Sequence, residues 1–144
     1  MARVEPHDAD LLLDDGELAT LIEEANIGAA LEATNRELEP LGLYLAHIWG
    51  PEQQILTPEW REGCRRLELD FGSDLLRASV LGPIDLIASK LCRADDGDLA
   101  DIRFLVETQS IDRSTLEALR WRALVPADFL EVFPANLLRA LESI

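Results

Sequence analysis

Two carboxylates near the start of the chain, Asp8 and Asp10, have the residue type and the spacing that bind a divalent cation. They lie in the stretch VEPHDADLLLDD, residues 4–15, at alternate positions before an apolar run. In a β-strand, residues i and i+2 point to the same face, so the pattern predicts neighbouring carboxylates. Mg²⁺ takes oxygen ligands and often binds one or two carboxylates together with phosphate oxygens. We therefore predict a magnesium site for phosphoryl transfer, with a solvated strand face or a helix-capping cluster as the alternatives.

Further residues with suitable chemistry follow later in the chain. A third carboxylate often completes such a site, and Asp70 in LELDFG is the best candidate, with Glu68 second. Lys90 is the only lysine beside twelve arginines, and a compact ammonium suits a phosphate oxygen. Asp98 and Asp101 follow Lys90 by eight and eleven residues. Lys90 has the alternative of a solvent-facing helix residue, and Asp98 and Asp101 that of a loop and an acidic first turn of the next helix.

The histidines and cysteines have no metal-ligand spacing. His7 and His47 have no partner at such a spacing, so we assign them structural roles. Cys64 and Cys92 form neither a CxxC nor a Cys/His pattern. We predict reduced thiols in a cytoplasmic protein, with a disulfide between the two cysteines as the alternative.

The elements that must position these residues are strands in the first part of the chain and helices in the second. Alternating and apolar runs predict four strands, at residues 9–13, 41–50, 67–71 and 75–81. The last two are joined by GSD as a hairpin. A helical period predicts a helix over residues 17–38 and several from Pro83 onward, including residues 126–133. The fold class is therefore α+β, with a mixed sheet in residues 1–81 and a helical part in residues 82–144.

Length and composition predict one soluble domain. The chain has 144 residues, of which 48% are hydrophobic, and it shows no signal peptide or membrane-spanning run. The net charge of −15 disfavours direct binding of nucleic acid without a basic partner, although 11 of the 13 basic residues follow residue 60. We place the three tryptophans in the core or at its rim: Trp49, Trp60 and Trp121.

The order of these motifs resembles a known family. A DxD strand, a helix, TPEWREGCRRLELDFG and LRASVLGPIDLIASKLCRADDGDLADIRFLV follow one another over residues 4–120. This arrangement is similar to the bacterial nucleotidyltransferase-like proteins of unknown function that are related to abortive-infection toxins. The most specific part is DLIASKL followed by DLADI, which resembles the family pattern DLIxxKL and DxxDI.

The resemblance implies a nucleotidyltransferase-like fold that uses Mg²⁺ to transfer a nucleotide from a nucleoside triphosphate to an acceptor. It implies catalytic and metal-binding roles for Asp8 and Asp10, a phosphate contact by Lys90, and a following acidic residue at Asp98 or Asp101. Asp70 remains the candidate third carboxylate. The resemblance also implies a toxin–antitoxin or phage-defence system, with an antitoxin-like protein or a second copy of the chain as partner.

One feature of that family has no counterpart in the sequence. A glycine–serine or glycine–glycine turn precedes the family's DxD strand, whereas no glycine precedes Asp8. The backbone amides of such a turn would hold the triphosphate. The sequence therefore leaves two alternatives, an enzyme with a truncated N-terminus or a catalytically inactive interaction or dimerisation domain that pairs through an open strand edge.

Overall fold

The computed structural model describes residues 7–13, 16, 17, 19, 20, 27–70 and 75–144, with the backbone alone at 7–9, 67–70 and 75–78. The chain divides into two compact units, Met1–Gln53 and Gln54–Ile144, called here the first and second unit. Described strands end at Val80, and every regular element described from Pro83 onward is helical. The predicted α+β class with a helical C-terminal part is confirmed. The single domain stays a prediction.

The first unit pairs two parallel strands, with a helix between them in the chain. Strand β1 (His7–Leu12) pairs with β2 (Leu43–Trp49), and α1 spans Ile27–Leu38. A parallel pair requires a crossover connection, which a helix commonly supplies. A 3₁₀ turn at Glu39–Leu41 follows α1, and Gly42 ends it with φ of 70°, in the left-handed region that glycine adopts without steric cost.

Strand β2 contains one more residue than the paired segment of β1. Ala9 pairs with Leu45, but Asp10 pairs with His47, so Ala46 is the inserted residue of a bulge. A bulge changes the direction of the side chains that follow it. The register of the carboxylate strand therefore depends on this single insertion.

The backbone of β2 is also bonded to α1. The Leu45 N–H donates to Asn35 Oδ1 at 2.7 Å, and Asn35 Nδ2 donates to the Leu45 carbonyl at 3.0 Å. The side-chain amide thus makes the two hydrogen bonds that a neighbouring strand would make at this residue. Leu45 is buried, so this pair of bonds joins helix and strand at the most buried position of β2.

The second unit contains an antiparallel hairpin and several helices. Strands β3 (Arg65–Asp70) and β4 (Leu75–Val80) form the predicted hairpin, and β3 begins two residues before the predicted strand. The helices described in this unit are α2 (Trp60–Gly63), α3 (Pro83–Lys90), α4 (Asp96–Gln109), α5 (Arg113–Arg122) and α6 (Phe133–Ser143). Within the described ranges, no helix has both the length and the apolar character needed to cross a bilayer.

The helix predicted over residues 126–133 is wrong. Only a three-residue 3₁₀ segment forms there, at Ala127–Phe129, and α6 begins at Phe133. Pro134 lies in the first turn of α6, where its missing N–H is tolerated. A helix running through this position would place the proline ring against the carbonyl of residue 130.

Buried side chains of α3, α4, α5 and α6 form most of the core of the second unit. Its largest fully buried side chains are Ile55, Ile87, Leu91, Ile102, Leu116, Leu119 and Leu137. The start of α3 packs closely on the end of α2, since a Cβ at Gly82 would lie 2.8 Å from the Gly63 carbonyl oxygen. Trp121 is not in the core, because it is 83% exposed. It lies two residues after buried Leu119, roughly 200° around the helix.

Candidate functional site

The carboxylate of Asp10 contacts an imidazole on the neighbouring strand. Asp10 in β1 pairs with His47 in β2, and 3.2 Å separates Asp10 Oδ1 from His47 Nδ1. Both side chains are more than half exposed, at 55% for Asp10 and 59% for His47. The His47 ring also stacks on Trp49, with 5.3 Å between ring centroids and 25° between ring planes. The imidazole is therefore oriented by a carboxylate on one side and an indole on the other.

Sequence reasoning missed the partner of His47. The two side chains are 37 positions apart, so no local spacing connects them. In a regular register, Asp10 would pair with Ala46, and only the inserted residue brings His47 opposite the carboxylate. The contact between Asp10 and His47 could be predicted only from the register of the two strands, which the sequence does not show directly.

The other predicted metal ligands are described only through their backbones. Asp8 lies in β1 opposite Tyr44, and Asp70 lies in β3 opposite Leu75, but their side chains fall outside the described ones. Their roles stay predictions. Among the side chains that are described, no group of three or more His, Cys, Asp or Glu residues is arranged to hold a metal ion.

The lysine predicted to contact phosphate and the two acidic residues that follow it lie together at the junction of α3 and α4. Lys90 Nζ donates to Asp101 Oδ2 at 2.6 Å and lies 3.8 Å from Asp98 Oδ1. The Lys90 side chain is 22% exposed, Asp98 only 7% and Asp101 60%. The ammonium is therefore neutralised by one exposed and one buried carboxylate.

Asp98 has several protein donors and completes the start of α4. Arg93 donates through Nε and Nη2 to the two Asp98 oxygens, at 2.9 and 3.1 Å. The Asp98 N–H donates to Asp95 Oδ1 at 2.9 Å, and the Asp95 N–H donates back to Asp98 Oδ2 at 3.3 Å. This reciprocal capping box satisfies backbone donors at a helix N-terminus. The hydrogen bond from the Asp98 N–H lowers the pKa of the Asp95 carboxyl, and Arg93 contributes in the same direction.

Another residue of the DLIASKL segment is also used structurally. Asp85 is 4% exposed, and its Oδ1 accepts the N–H of buried Thr57 at 2.6 Å. At the other end of α3, Asn136 Nδ2 donates to the Leu91 carbonyl at 2.8 Å. Both bonds fix α3 to segments that are distant in the sequence.

The two cysteines are free thiols. Cys64 Sγ donates to the Trp60 carbonyl at 3.2 Å, and Cys92 Sγ donates to Gln54 Oε1 at 3.7 Å. Burial raises the pKa of both thiols, and the charge of Asp85 adds to the rise at Cys64. Because the thiolate is the nucleophile, the raised pKa disfavours the reactive form of both cysteines.

Comparison with known proteins identifies the family. A family described as a nucleotidyltransferase of unknown function (DUF6036) matches residues 1–131. The match includes the DxD strand and the junction of α3 and α4, and the chain belongs to this family. No match was found among curated proteins or among solved structures. The nucleotidyltransferase-like character predicted from the resemblance is confirmed.

Proposed function

We propose that this protein is a Mg²⁺-dependent nucleotidyltransferase, which transfers a nucleotide from a nucleoside triphosphate to an acceptor hydroxyl. The observation that carries this proposal is the exposed Asp10 carboxylate, which lies in the DxD strand of a chain that belongs to a nucleotidyltransferase family. An exposed carboxylate oxygen can bind a cation in place of water without any change in the packing of buried side chains. We therefore place the proposed binding site for Mg²⁺ and the triphosphate at this strand.

The donor atoms of this strand fit magnesium. Mg²⁺ keeps several of its waters and needs few protein oxygens, so Asp8 and Asp10 would suffice as protein ligands when phosphate oxygens supply others. Bound Mg²⁺ would neutralise the negative charge that develops during phosphoryl transfer. In this chain, His47 contacts one Asp10 oxygen and thereby restrains the carboxylate orientation. The second Asp10 oxygen is the atom proposed to face the cation.

Lys90 is proposed as a phosphate contact, with Asp98 and Asp101 as its acidic neighbours. A phosphate oxygen at the ammonium would replace the exposed Asp101 carboxylate, which is the easier of the two to displace. Buried Asp98 keeps its bonds to Arg93 and stays in place. Asp70 is proposed separately as a further catalytic carboxylate. Lys90→Gln and Asp70→Asn each test one of these roles through nucleotide affinity.

The proposed function is tested by thermal unfolding with Mg²⁺ or Mn²⁺ and each of ATP, CTP, GTP and UTP. A ligand that binds only the folded state at 100 times its Kd stabilises it by about 2.7 kcal/mol. We expect at least one triphosphate to raise the Tm of the wild type. The paired substitution Asp8→Asn and Asp10→Asn should abolish that rise, because it removes both negative charges and keeps side-chain size. An unchanged Tm with all four triphosphates, or an equal rise in the double variant, contradicts the proposal.

A second candidate function is binding to another protein, either an antitoxin-like partner or a second copy of the chain. It is favoured by large apolar side chains of the second unit that are at least half exposed, among them Phe104, Leu124, Leu130 and Leu138. A contiguous exposed apolar patch often marks a protein contact, and we propose that these side chains contribute to one. Given the resemblance to abortive-infection toxins, we propose that such a partner belongs to a toxin–antitoxin or phage-defence system. Two free cysteines without a disulfide between them fit a reducing compartment, so we propose a cytoplasmic location.

Light scattering after size-exclusion chromatography tests the binding role. We expect a dimer, or a complex with the product of the adjacent gene when the two are co-expressed. Phe104→Ser should weaken that association without lowering the Tm of the isolated chain, since this side chain is 64% exposed. A monomer at every concentration that forms no complex on co-expression contradicts this role.

A further inference from the structure

We propose that the stacked pair His47 and Trp49 binds the base of the nucleoside triphosphate. The proposal rests on the proposed function, because it assigns a second part of the same nucleotide to residues beside Asp10. It names the contact that distinguishes a nucleotide from an inorganic polyphosphate. The pair is called here the aromatic platform.

The aromatic platform has the geometry of a stacking surface. Its two rings are nearly parallel, with planes 25° apart and centroids 5.3 Å apart. The His47 side chain is 59% exposed and Trp49 is partly exposed. Aromatic side chains stack on every nucleobase, because each base has a π face. The His47 and Trp49 rings are already stacked before a base binds. A base that stacks on them therefore restricts few additional side chains, which lowers the entropic cost of binding.

The position of the platform matches the shape of a nucleotide. The hydrogen bond of 3.2 Å between His47 and Asp10 fixes one ring beside the proposed cation ligand. Residues two apart in a strand are separated by about 6.6 Å, so Trp49 lies one side-chain row farther along β2. In a nucleoside triphosphate, the ribose separates the phosphates from the base. Phosphates at Asp10 would therefore leave the base in reach of the platform.

The other tryptophans of the described chain have different neighbours. Arg61 Cζ lies 4.3 Å from the centroid of the Trp60 ring, and Arg120 Cζ lies 6.0 Å from that of Trp121. A guanidinium over an indole is a cation–π contact. Trp49 instead stacks on an imidazole that also contacts a carboxylate of the DxD strand. Trp121 is thus a matched control, an exposed indole in the other unit.

The deciding experiment compares two ligands in three proteins. Calorimetry measures the Kd of ATP and of inorganic tripolyphosphate, both with Mg²⁺, for the wild type, Trp49→Ala and Trp121→Ala. We expect Trp49→Ala to weaken ATP binding about tenfold, the size of one base-stacking contact. It should leave the Kd of tripolyphosphate unchanged. Trp121→Ala should change neither value.

A second measurement avoids any dependence on the folding of Trp49→Ala. In the double variant with Trp60→Phe and Trp121→Phe, Trp49 is the only tryptophan, so tryptophan fluorescence reports on it alone. We expect ATP to quench its emission and tripolyphosphate to leave it unchanged. Trp49→Phe keeps an aromatic face and should retain most of the ATP affinity.

The outcomes separate this inference from the proposed function. If Trp49→Ala binds ATP as tightly as the wild type while Asp10→Asn does not bind it, the platform is wrong and the proposed function stands. The platform is also wrong if Trp49→Ala weakens both ligands equally, because the effect then does not come from the base. Quenching by tripolyphosphate equal to that by ATP likewise overturns the platform. If the wild type binds neither ligand, the proposed function fails and this inference fails with it.

Discussion

Asp10 and Asp98 are both aspartates beside a basic side chain, yet their surroundings differ. The Asp98 side chain is 7% exposed, and it accepts two bonds from Arg93 and one from the Asp95 backbone. The Asp10 side chain is 55% exposed and contacts His47 through one oxygen. A carboxylate whose oxygens are occupied by protein donors holds the fold together. A carboxylate with an exposed oxygen can bind a ligand, so exposure separates the two roles where residue type does not.

The most recognisable motif of the chain illustrates this difference. In the run from residue 85 to residue 101, Asp85 and Asp98 are buried acceptors that fix helix ends. Lys90 and Asp101 lie nearer to solvent. Two of the aspartates in this run, Asp85 and Asp98, therefore have structural roles that account for their positions. The comparison between buried and exposed carboxylates can be tested by four measurements.

The largest effect is expected for Asp98→Ala. This substitution removes the acceptor of Arg93 and half of the capping box, so it should lower the free energy of unfolding by about 3 kcal/mol. Chemical denaturation measures the change. Asp101→Ala, at a 60% exposed side chain, is the control and should cost less than about 1 kcal/mol. An equal decrease in the free energy of unfolding in the two variants would show that burial does not determine how much each carboxylate contributes to stability.

A smaller loss is expected for Asp85→Ala. The substitution leaves the buried N–H of Thr57 without its acceptor, which should cost about 2 kcal/mol of unfolding free energy. Asp85→Asn retains the Oδ1 acceptor and should lose less. Denaturant midpoints of the two variants provide the comparison, and a more stable Asp85→Ala than Asp85→Asn would show that the Thr57 bond contributes little.

A weaker, pH-dependent effect is expected at Asp95. Its folded-state pKa lies below the ordinary value of 3.8, so its charge stabilises the folded state above that pH. This contribution is lost as the pH falls below 3.8 through the folded-state pKa. The stability advantage of the wild type over Asp95→Asn should therefore shrink on acidification. Denaturation at a series of pH values measures it, and an advantage that grows toward acid would show the opposite sign.

The smallest effect on stability is expected for Asp10→Ala. Because both Asp10 and His47 are more than half exposed, the free energy of unfolding should change by less than about 0.5 kcal/mol. The same variant should lose the rise in Tm caused by metal and triphosphate. Paired melts with and without ligand test both statements. A large loss of stability without ligand would place Asp10 with the structural carboxylates.

The sequence predicts helices and strands best where a regular spacing of apolar residues determines the local structure. The strand of residues 43–49 and the helix that buries Ile87 follow local patterns, and both form as predicted. The helix predicted over residues 126–133 is replaced by a 3₁₀ segment at Ala127–Phe129, and α6 begins only at Phe133, with Pro134 in its first turn. Counting apolar residues does not show where one helical segment stops and the next begins. His47 was missed because its partner is set by strand register. An inserted residue changes register without changing composition.

The amide of Asn35 has a consequence for how this protein associates. A strand from another molecule needs unbonded N–H and C=O groups to add to a sheet. At Leu45, both backbone groups are already hydrogen-bonded to the side-chain amide of Asn35 in the same molecule. Fibril-like growth through this residue would first have to detach a helix. At this one residue of β2, the helix therefore occupies the backbone groups that an added strand would need.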